Sequence, residues 1–286
     1  MLYHTLITPT VLYEQLNQPD WVIVDCRFSL QDTEAGRRAY QEGHIPGAHY
    51  AHLDEDLSSP ITPTSGRHPL TSPSVLAKTF ARWGISSASQ VVAYDDAGGS
   101  IASRLWWLLG WLGHHQRAVL DGGLPAWRRA GLPMSADKPD PQSAYFQAQP
   151  DDSRWVDSDT LLTTLVHGDK STPLLVDARA AIRFRGEQEP IDPVAGHIPK
   201  AVNLPLEGNL DTDGGFLPAK ILQDRYTKAM QGHDPAQVIH MCGSGVTACH
   251  NLLAMEVAGL NGSRLYAGSW SEWIRDPSRP IATGDS

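Results

Sequence analysis

The chain has few cysteines, no excess of positive charge and no long apolar run. Its three cysteines, Cys26, Cys242 and Cys249, are too few for a disulfide framework. None stands in a CxxC or Cys/His spacing, which argues against a structural zinc site. No metal and no cofactor is implied. No apolar stretch approaches the roughly 20 residues of a membrane span, so no membrane partner is expected. The start, MLYHTLITPT, lacks a basic region followed by an apolar core. No secretory signal is read there, and the cytoplasm is the expected compartment. The net charge of -9 disfavours nucleic acid as a partner. It also means that an anionic substrate needs a local positive site, because the global field repels it. With 41% hydrophobic and 19% charged residues, the composition is that of a folded globular protein.

What the chain does have is internal repetition. WVIVDCRF (21–28) and LLVDARAAIRF (174–184) are both apolar runs carrying Asp-x-Arg. EGHIPGAHY (42–50) is echoed by AGHIPKAVN (195–203), and VVAYDDAGGSIASRLWWLLGWLG (91–113) by VIHMCGSGVTACHNLLAMEVAG (238–259). LDGGLPAWRRAGLP (120–133) is echoed by YAGSWSEWIRDPSRP (266–280). Four blocks in one order, offset by about 150 residues, imply two homologous domains, 1–140 and 141–286. The Pro-, Asp- and Gln-rich stretch 135–154 reads as the linker between them.

Within each half, short runs rich in Val and Ile (22–24, 91–93, 174–176, 238–240) read as buried parallel strands. Helical patterns lie between them. SPSVLAKTFARWGI (72–85) offers Ser72 as N-cap, Pro73 at the first helical position and Gly84 as a stop. Alternating strands and helices imply an α/β fold with a mostly parallel central sheet flanked by helices. Ligands bind such sheets at the carboxyl ends of the strands.

HMCGSGVTACH (240–250) falls at such an end. Gly243 and Gly245 allow backbone conformations that aim several N–H groups at one spot, beside the positive end of a helix. The result is an anion nest that favours the thiolate of Cys242 and can hold a negative adduct on it. Cysteine phosphatases use a similar cradle, but need Arg at the sixth position after the cysteine. That position is Ala248, and the loop is one residue short. The cavity fits one sulfur atom rather than a phosphoryl group, as in a persulfide.

These blocks, with RLWW and GSWSEW, resemble the two-domain rhodanese superfamily of sulfurtransferases over nearly the whole chain. CGSGVTAC resembles the active loop of the 3-mercaptopyruvate members; thiosulfate members usually carry basic residues where this chain has Gly243 and Ser244. The resemblance implies two tandem rhodanese-like domains. The first is inert, because Asp95–Asp96 stand where the second has Cys242. It further implies that Cys242 takes sulfur from a small donor, 3-mercaptopyruvate or thiosulfate, and passes it to cyanide or a thiol, a thioredoxin-like protein being one candidate. Gly243, Ser244, Gly245, Val246, Thr247 and Ala248 would cradle the persulfide.

Arg183 matches a substrate-binding arginine of the mercaptopyruvate enzymes. A second arginine, usual in an EPR segment before GHIP, is replaced by Ile191, which makes Arg185 a candidate substitute. The resemblance also suggests a proton relay of Ser244 and His44 with Asp32 or Glu34. Two alternatives remain at this level: a thiosulfate sulfurtransferase using the same persulfide, and a non-catalytic binding module of this fold. His44 and His197, and likewise Asp25 and Asp177, occupy equivalent places in both repeats, so their shared role reads as structural. Trp106, Trp107 and Trp111, at helical spacing, read as packing, and Cys249 as core.

Overall fold

A computed structural model describes residues 2–139, 143–167 and 172–285. The described chain falls into two compact units. The first comprises Met1–Ser59, Thr71–Asp151 and Leu210–Phe216; the second comprises Pro60–Leu70, Asp152–Asn209 and Leu217–Ser286. The boundary at 140/141 and these units differ over three short described segments, 60–70, 143–151 and 210–216. None of the three carries a repeat block, and their place is fixed by packing rather than by sequence order.

The first unit holds β1 (Leu6–Ile7), β2 (Trp21–Asp25), β3 (His49–Tyr50), β4 (Gln90–Tyr94) and β5 (Arg117–Leu120), ordered β1-β5-β4-β2-β3. The second holds β6 (Trp155–Val156), β7 (Leu174–Asp177), β8 (Val202–Asn203), β9 (Val238–Met241) and β10 (Arg264–Tyr266), ordered β6-β10-β9-β7-β8. Every pairing is parallel, and the two orders are the same. The fold is α/β, two parallel five-stranded sheets flanked by helices. Parallel strands are covered on both faces, so they read as unbroken apolar runs. All five residues of β4 and all four of β9 are buried.

Each unit has its own core. Ile23, Val92, Tyr94, Leu120 and Trp127 centre the first; Leu175, Ile239, Met241, Trp270 and Trp273 centre the second. The helix Ala102–Trp111 is buried at all ten positions, so its three tryptophans are packing residues. Trp106 also carries the Arg117 guanidinium over its ring at 4.7 Å. No helix among the described residues is long and apolar enough to cross a membrane.

The repeated motifs perform the same task twice. Asp25 accepts from the Arg27 N–H at 3.0 Å and pairs with its guanidinium, whose Nη2 also donates to Gly43 O at 2.8 Å. Asp177 and Arg179 repeat this on Gly196 O, again at 2.8 Å. Asp-x-Arg thus clamps the glycine of GHIP. The next residue stacks on an aromatic ring, His44 on Tyr40 at 4.0 Å and His197 on Phe184 at 3.7 Å. Removing either aspartate would strand a buried arginine, a loss of about 3–5 kcal/mol.

Two local expectations are amended. The helix Pro73–Arg82 has Ser72 at its N-cap, but the Ser72 hydroxyl pairs with Ser74 Oγ and caps no backbone N–H. Gly84, at φ +77°, does end the turn that follows. The stretch read as a linker is anchored over its described residues 143–154. Gln149 and Asp151 donate to Leu112 O and Trp111 O, and Phe146 lies edge-on to Phe80 at 5.1 Å. One buried aromatic and a few backbone bonds outweigh a polar composition.

Candidate active site

Strand β9 delivers Cys242 to the carboxyl edge of the second sheet, and the helix Ala248–Val257 begins six residues later. Gly245 turns the loop between them at φ +77°. Its backbone N–H points at Cys242 Sγ from 3.2 Å. Ser244 is buried with its Oγ 2.7 Å from His68 Nδ1. Cys249 is buried one helical turn on and donates its S–H to Gly245 O.

The GSWSEW segment holds this loop from behind. The Trp270 N–H donates to Cys242 O, and the Ser271 N–H to Gly243 O. Ser269 Oγ accepts from the Cys242 N–H at 3.1 Å while donating to Tyr266 O at 2.9 Å. Ser269 sits at φ +54°, the left-handed region that disfavours any side chain. Its counterpart in the first repeat is Gly123, at φ +55°. The second unit thus accepts strain where the first uses glycine, and gains a hydroxyl that fixes the cysteine backbone.

The equivalent loop of the first unit shows what such a nest does with an anion. Asp95 follows β4 as Cys242 follows β9. Its carboxylate accepts four backbone N–H bonds, from Ala97, Gly99, Ile101 and Ala102, at 2.8–2.9 Å. That nest is filled by the residue at its own root.

Segment 60–70 brings two residues to Cys242 that the sequence reading missed. The Gly66–Arg67 backbone packs tightly on residues 268–271. A Cβ on Gly66 would meet Gly268 O at 2.6 Å, and the Arg67 N–H donates to Ser271 Oγ at 3.0 Å. This places His68 against Ser244 and Arg67 beside Gly243. The available signal was a basic Arg67–His68 pair inside a Gly-, Pro-, Ser- and Thr-rich stretch with no echo in the other repeat.

Arg183 lies at the same place. Its Nε donates to both oxygens of Glu189 at 3.0 Å, and its Nη2 to Asp192 Oδ2 at 3.0 Å. Burial works to raise the Glu189 carboxyl. The Arg183 hydrogen bond and the N–H groups of Asp192 and Ile191 outweigh it and hold that carboxyl below its usual range. Asp192 also takes Arg67 Nη1 at 2.7 Å. The absence of basic residues from the loop itself therefore does not leave the site without cations: two guanidiniums stand over Gly243.

Other expected site residues are placed differently. Arg185 is engaged by the exposed Glu187 through two bonds, at 2.7 and 3.0 Å. Ile191 is partly exposed, at 38%. The relay through His44 is corrected. Its Nδ1 faces Tyr40 O and its Nε2 faces Asp137 O, both backbone, and the histidine on Ser244 is His68. Asp32 pairs with Arg38, and Glu34 with Arg37. The repeats carry two GHIP histidines because the stacking role needs both; the histidine facing Ser244 lies outside the repeats. Glu34, His52 and Glu55 bring potential ligand atoms within 4.8 Å of one another. However, His52 Nδ1 accepts from the Asp54 and Glu55 N–H groups, and its Nε2 faces Thr33 O.

Comparison with known proteins agrees with this architecture. The sequence profile of the rhodanese-like domain matches residues 8–130 and 160–276. A Pseudomonas aeruginosa protein named "Probable 3-mercaptopyruvate sulfurtransferase" is 51% identical over 282 residues, 98% of each chain. The thiosulfate sulfurtransferase of Rattus norvegicus is 32% identical, covering 100% of this chain and 98% of its own. The solved structure of a 3-mercaptopyruvate sulfurtransferase from Escherichia coli superposes with a TM-score of 0.79 at 30% identity, over 93% of this chain and 99% of that one. With both repeats matched and relatives spanning its length, this chain belongs to the rhodanese family of sulfurtransferases.

Proposed function

We propose that this enzyme moves sulfur from 3-mercaptopyruvate to a thiol or cyanide through a persulfide on Cys242, using residues 141–286 together with the Arg67–His68 segment. The domain spanning 1–140 carries no nucleophile in this scheme. The observation that carries the reading is the Gly245 N–H aimed at Cys242 Sγ from 3.2 Å, inside a loop whose twin nests a carboxylate.

In the first half-reaction the Cys242 thiolate attacks the donor sulfur. The carbon–sulfur bond breaks, its electron pair leaves with pyruvate as the enolate, and Cys242 becomes a persulfide. The enolate needs a proton. Ser244 Oγ, with His68 Nδ1 at 2.7 Å, supplies it and is reprotonated by the imidazolium form of His68, which regains its proton from solvent. The loop from Gly243 to Ala248 holds the sulfane sulfur until an acceptor thiolate or cyanide attacks it and restores the Cys242 thiolate.

Charge at the site favours a carboxylate donor. Arg67 and Arg183 are balanced by Glu189 and Asp192. The pocket therefore lacks the surplus cation that a thiosulfate dianion would exploit, and it offers directional N–H groups instead. Arg183 is assigned to the donor carboxylate, a charge-assisted bond worth roughly 1.5–3 kcal/mol. The test compares kcat/KM for mercaptopyruvate and thiosulfate with cyanide as acceptor, alongside intact mass after donor treatment. A gain of one sulfur atom that cyanide removes is expected, with mercaptopyruvate preferred. Preference for thiosulfate would overturn the donor, and no mass gain with either donor would leave a binding module.

A further inference from the structure

We infer that Arg67 is a specificity-determining residue that grips the donor's carboxylate together with Arg183, so the pocket reads a carboxylate next to the sulfur-bearing carbon skeleton with two guanidiniums. This rests on the persulfide reading above.

Asp192, largely buried, lies between the two arginines. It takes Nη1 of Arg67 on Oδ1 at 2.7 Å and Nη2 of Arg183 on Oδ2 at 3.0 Å. Each guanidinium keeps one terminal nitrogen with no bond among the described residues: Nη2 of Arg67 and Nη1 of Arg183. Both lie near one point. An ideal Cβ on Gly243 would lie 3.2 Å from Arg67 Nη2, and 3.7 and 3.8 Å from Nη2 and Nη1 of Arg183. Gly243 follows Cys242 directly, so a molecule whose sulfur meets Cys242 can bring a carboxylate carbon three bonds from that sulfur against both nitrogens. The absence of a side chain at Gly243 keeps that space open.

Two coplanar acceptor oxygens suit two convergent N–H donors. The carboxylates already present spend themselves on orientation: Asp192 ties the two arginines together, and Glu189 pins Arg183. Arg67 is itself held by its backbone bond to Ser271 Oγ, on the segment that also fixes the Cys242 N–H. Clamp and nucleophile thus share one support, which is what positioning a donor for attack requires.

The test uses the full chain and two donors that differ only at the carboxylate: 3-mercaptopyruvate, and mercaptoacetone, which has a methyl group in its place. Their kcat/KM ratio is taken for wild type, Arg67→Met and Arg67→Lys, with cyanide as acceptor. A ratio within one protein is independent of the fraction folded. Arg67→Met should lower the ratio at least about tenfold, chiefly through KM for mercaptopyruvate, as expected for loss of one charge-assisted bond. Arg67→Lys, which restores the cation without the fork, should recover part of it. An unchanged ratio in Arg67→Met overturns the inference, as does an equal loss with both donors, which would make Arg67 a loop support. Failure of the underlying reading is separate: wild type would then gain no sulfur atom by mass from either donor.

Discussion

Gly245 and Ala267 touch so closely that a Cβ on Gly245 would lie 2.2 Å from Ala267 O. Together with φ +77°, this leaves glycine alone able to present its N–H to Cys242. Gly245→Ala should lower kcat by about 10²–10³, the usual effect of losing a preorganised backbone donor. Strain and overpacking should also cost roughly 2–4 kcal/mol of stability. Activity of the soluble variant and its urea midpoint check the two effects. Near-wild-type turnover would remove the Gly245 N–H from the mechanism.

The three thiols should separate cleanly. Cys242→Ser should form no persulfide and lose sulfur transfer while keeping its fold. Cys249→Ser retains a hydroxyl for Gly245 O and should keep most activity. Cys26 is fully buried; that burial, with Asp25, Asp95 and Asp56 as nearby negative charges, pushes its thiol far up. It should resist alkylation in the native protein, and Cys26→Ala should transfer sulfur normally. Peptide mapping after iodoacetamide, with activity of each variant, decides this.

Ser244 and His68 should matter for one donor more than the other. Mercaptopyruvate leaves an enolate that must be protonated on carbon, whereas thiosulfate leaves sulfite, which requires no such step. Ser244→Ala and His68→Gln should each lower kcat with mercaptopyruvate by about 10²-fold, within the usual range for general acid catalysis. Thiosulfate turnover should change far less. The double variant should fall little below either single one, because both act on the same proton. Independent, multiplying losses would disprove the pairing.

His240, the strand residue two positions before Cys242, lies in the core with Nε2 on the Met255 sulfur. Burial pushes its imidazole down from 6.5 to about 3. Below about 6.5 the unfolded chain takes up a proton that the folded chain refuses. The His240 contribution is therefore intact above that pH and is lost progressively toward pH 3. Between pH 6 and 4 the stability of His240→Leu should fall less steeply than that of wild type, by up to about 1.4 kcal/mol per pH unit. Urea unfolding at several pH values measures both slopes; equal slopes would mean that His240 is protonated in the folded state.

Sequence alone determined the duplicated α/β plan, the strand ends and the identity of Cys242 and its loop. These features are local. A parallel strand announces itself as a buried Val- and Ile-rich run, and a glycine-rich turn after it needs no distant partner to be read. Repetition also sorted structure from chemistry: Asp25 with Asp177 and His44 with His197 recur because clamping and stacking recur.

Tertiary structure alone decided which groups face the cysteine. His68 and Arg67 lie far from Cys242 in sequence, in a segment with neither periodicity nor repeat, and only packing of Gly66 on Gly268 brings them there. The family resemblance suggested His44 for the relay, yet both of its ring nitrogens face backbone carbonyls. Arg185, near Arg183 in the chain, was the candidate substitute for the arginine absent at Ile191. The neighbouring cation came instead from Arg67, because a buried carboxylate, Asp192, holds two guanidiniums in place across any separation in sequence.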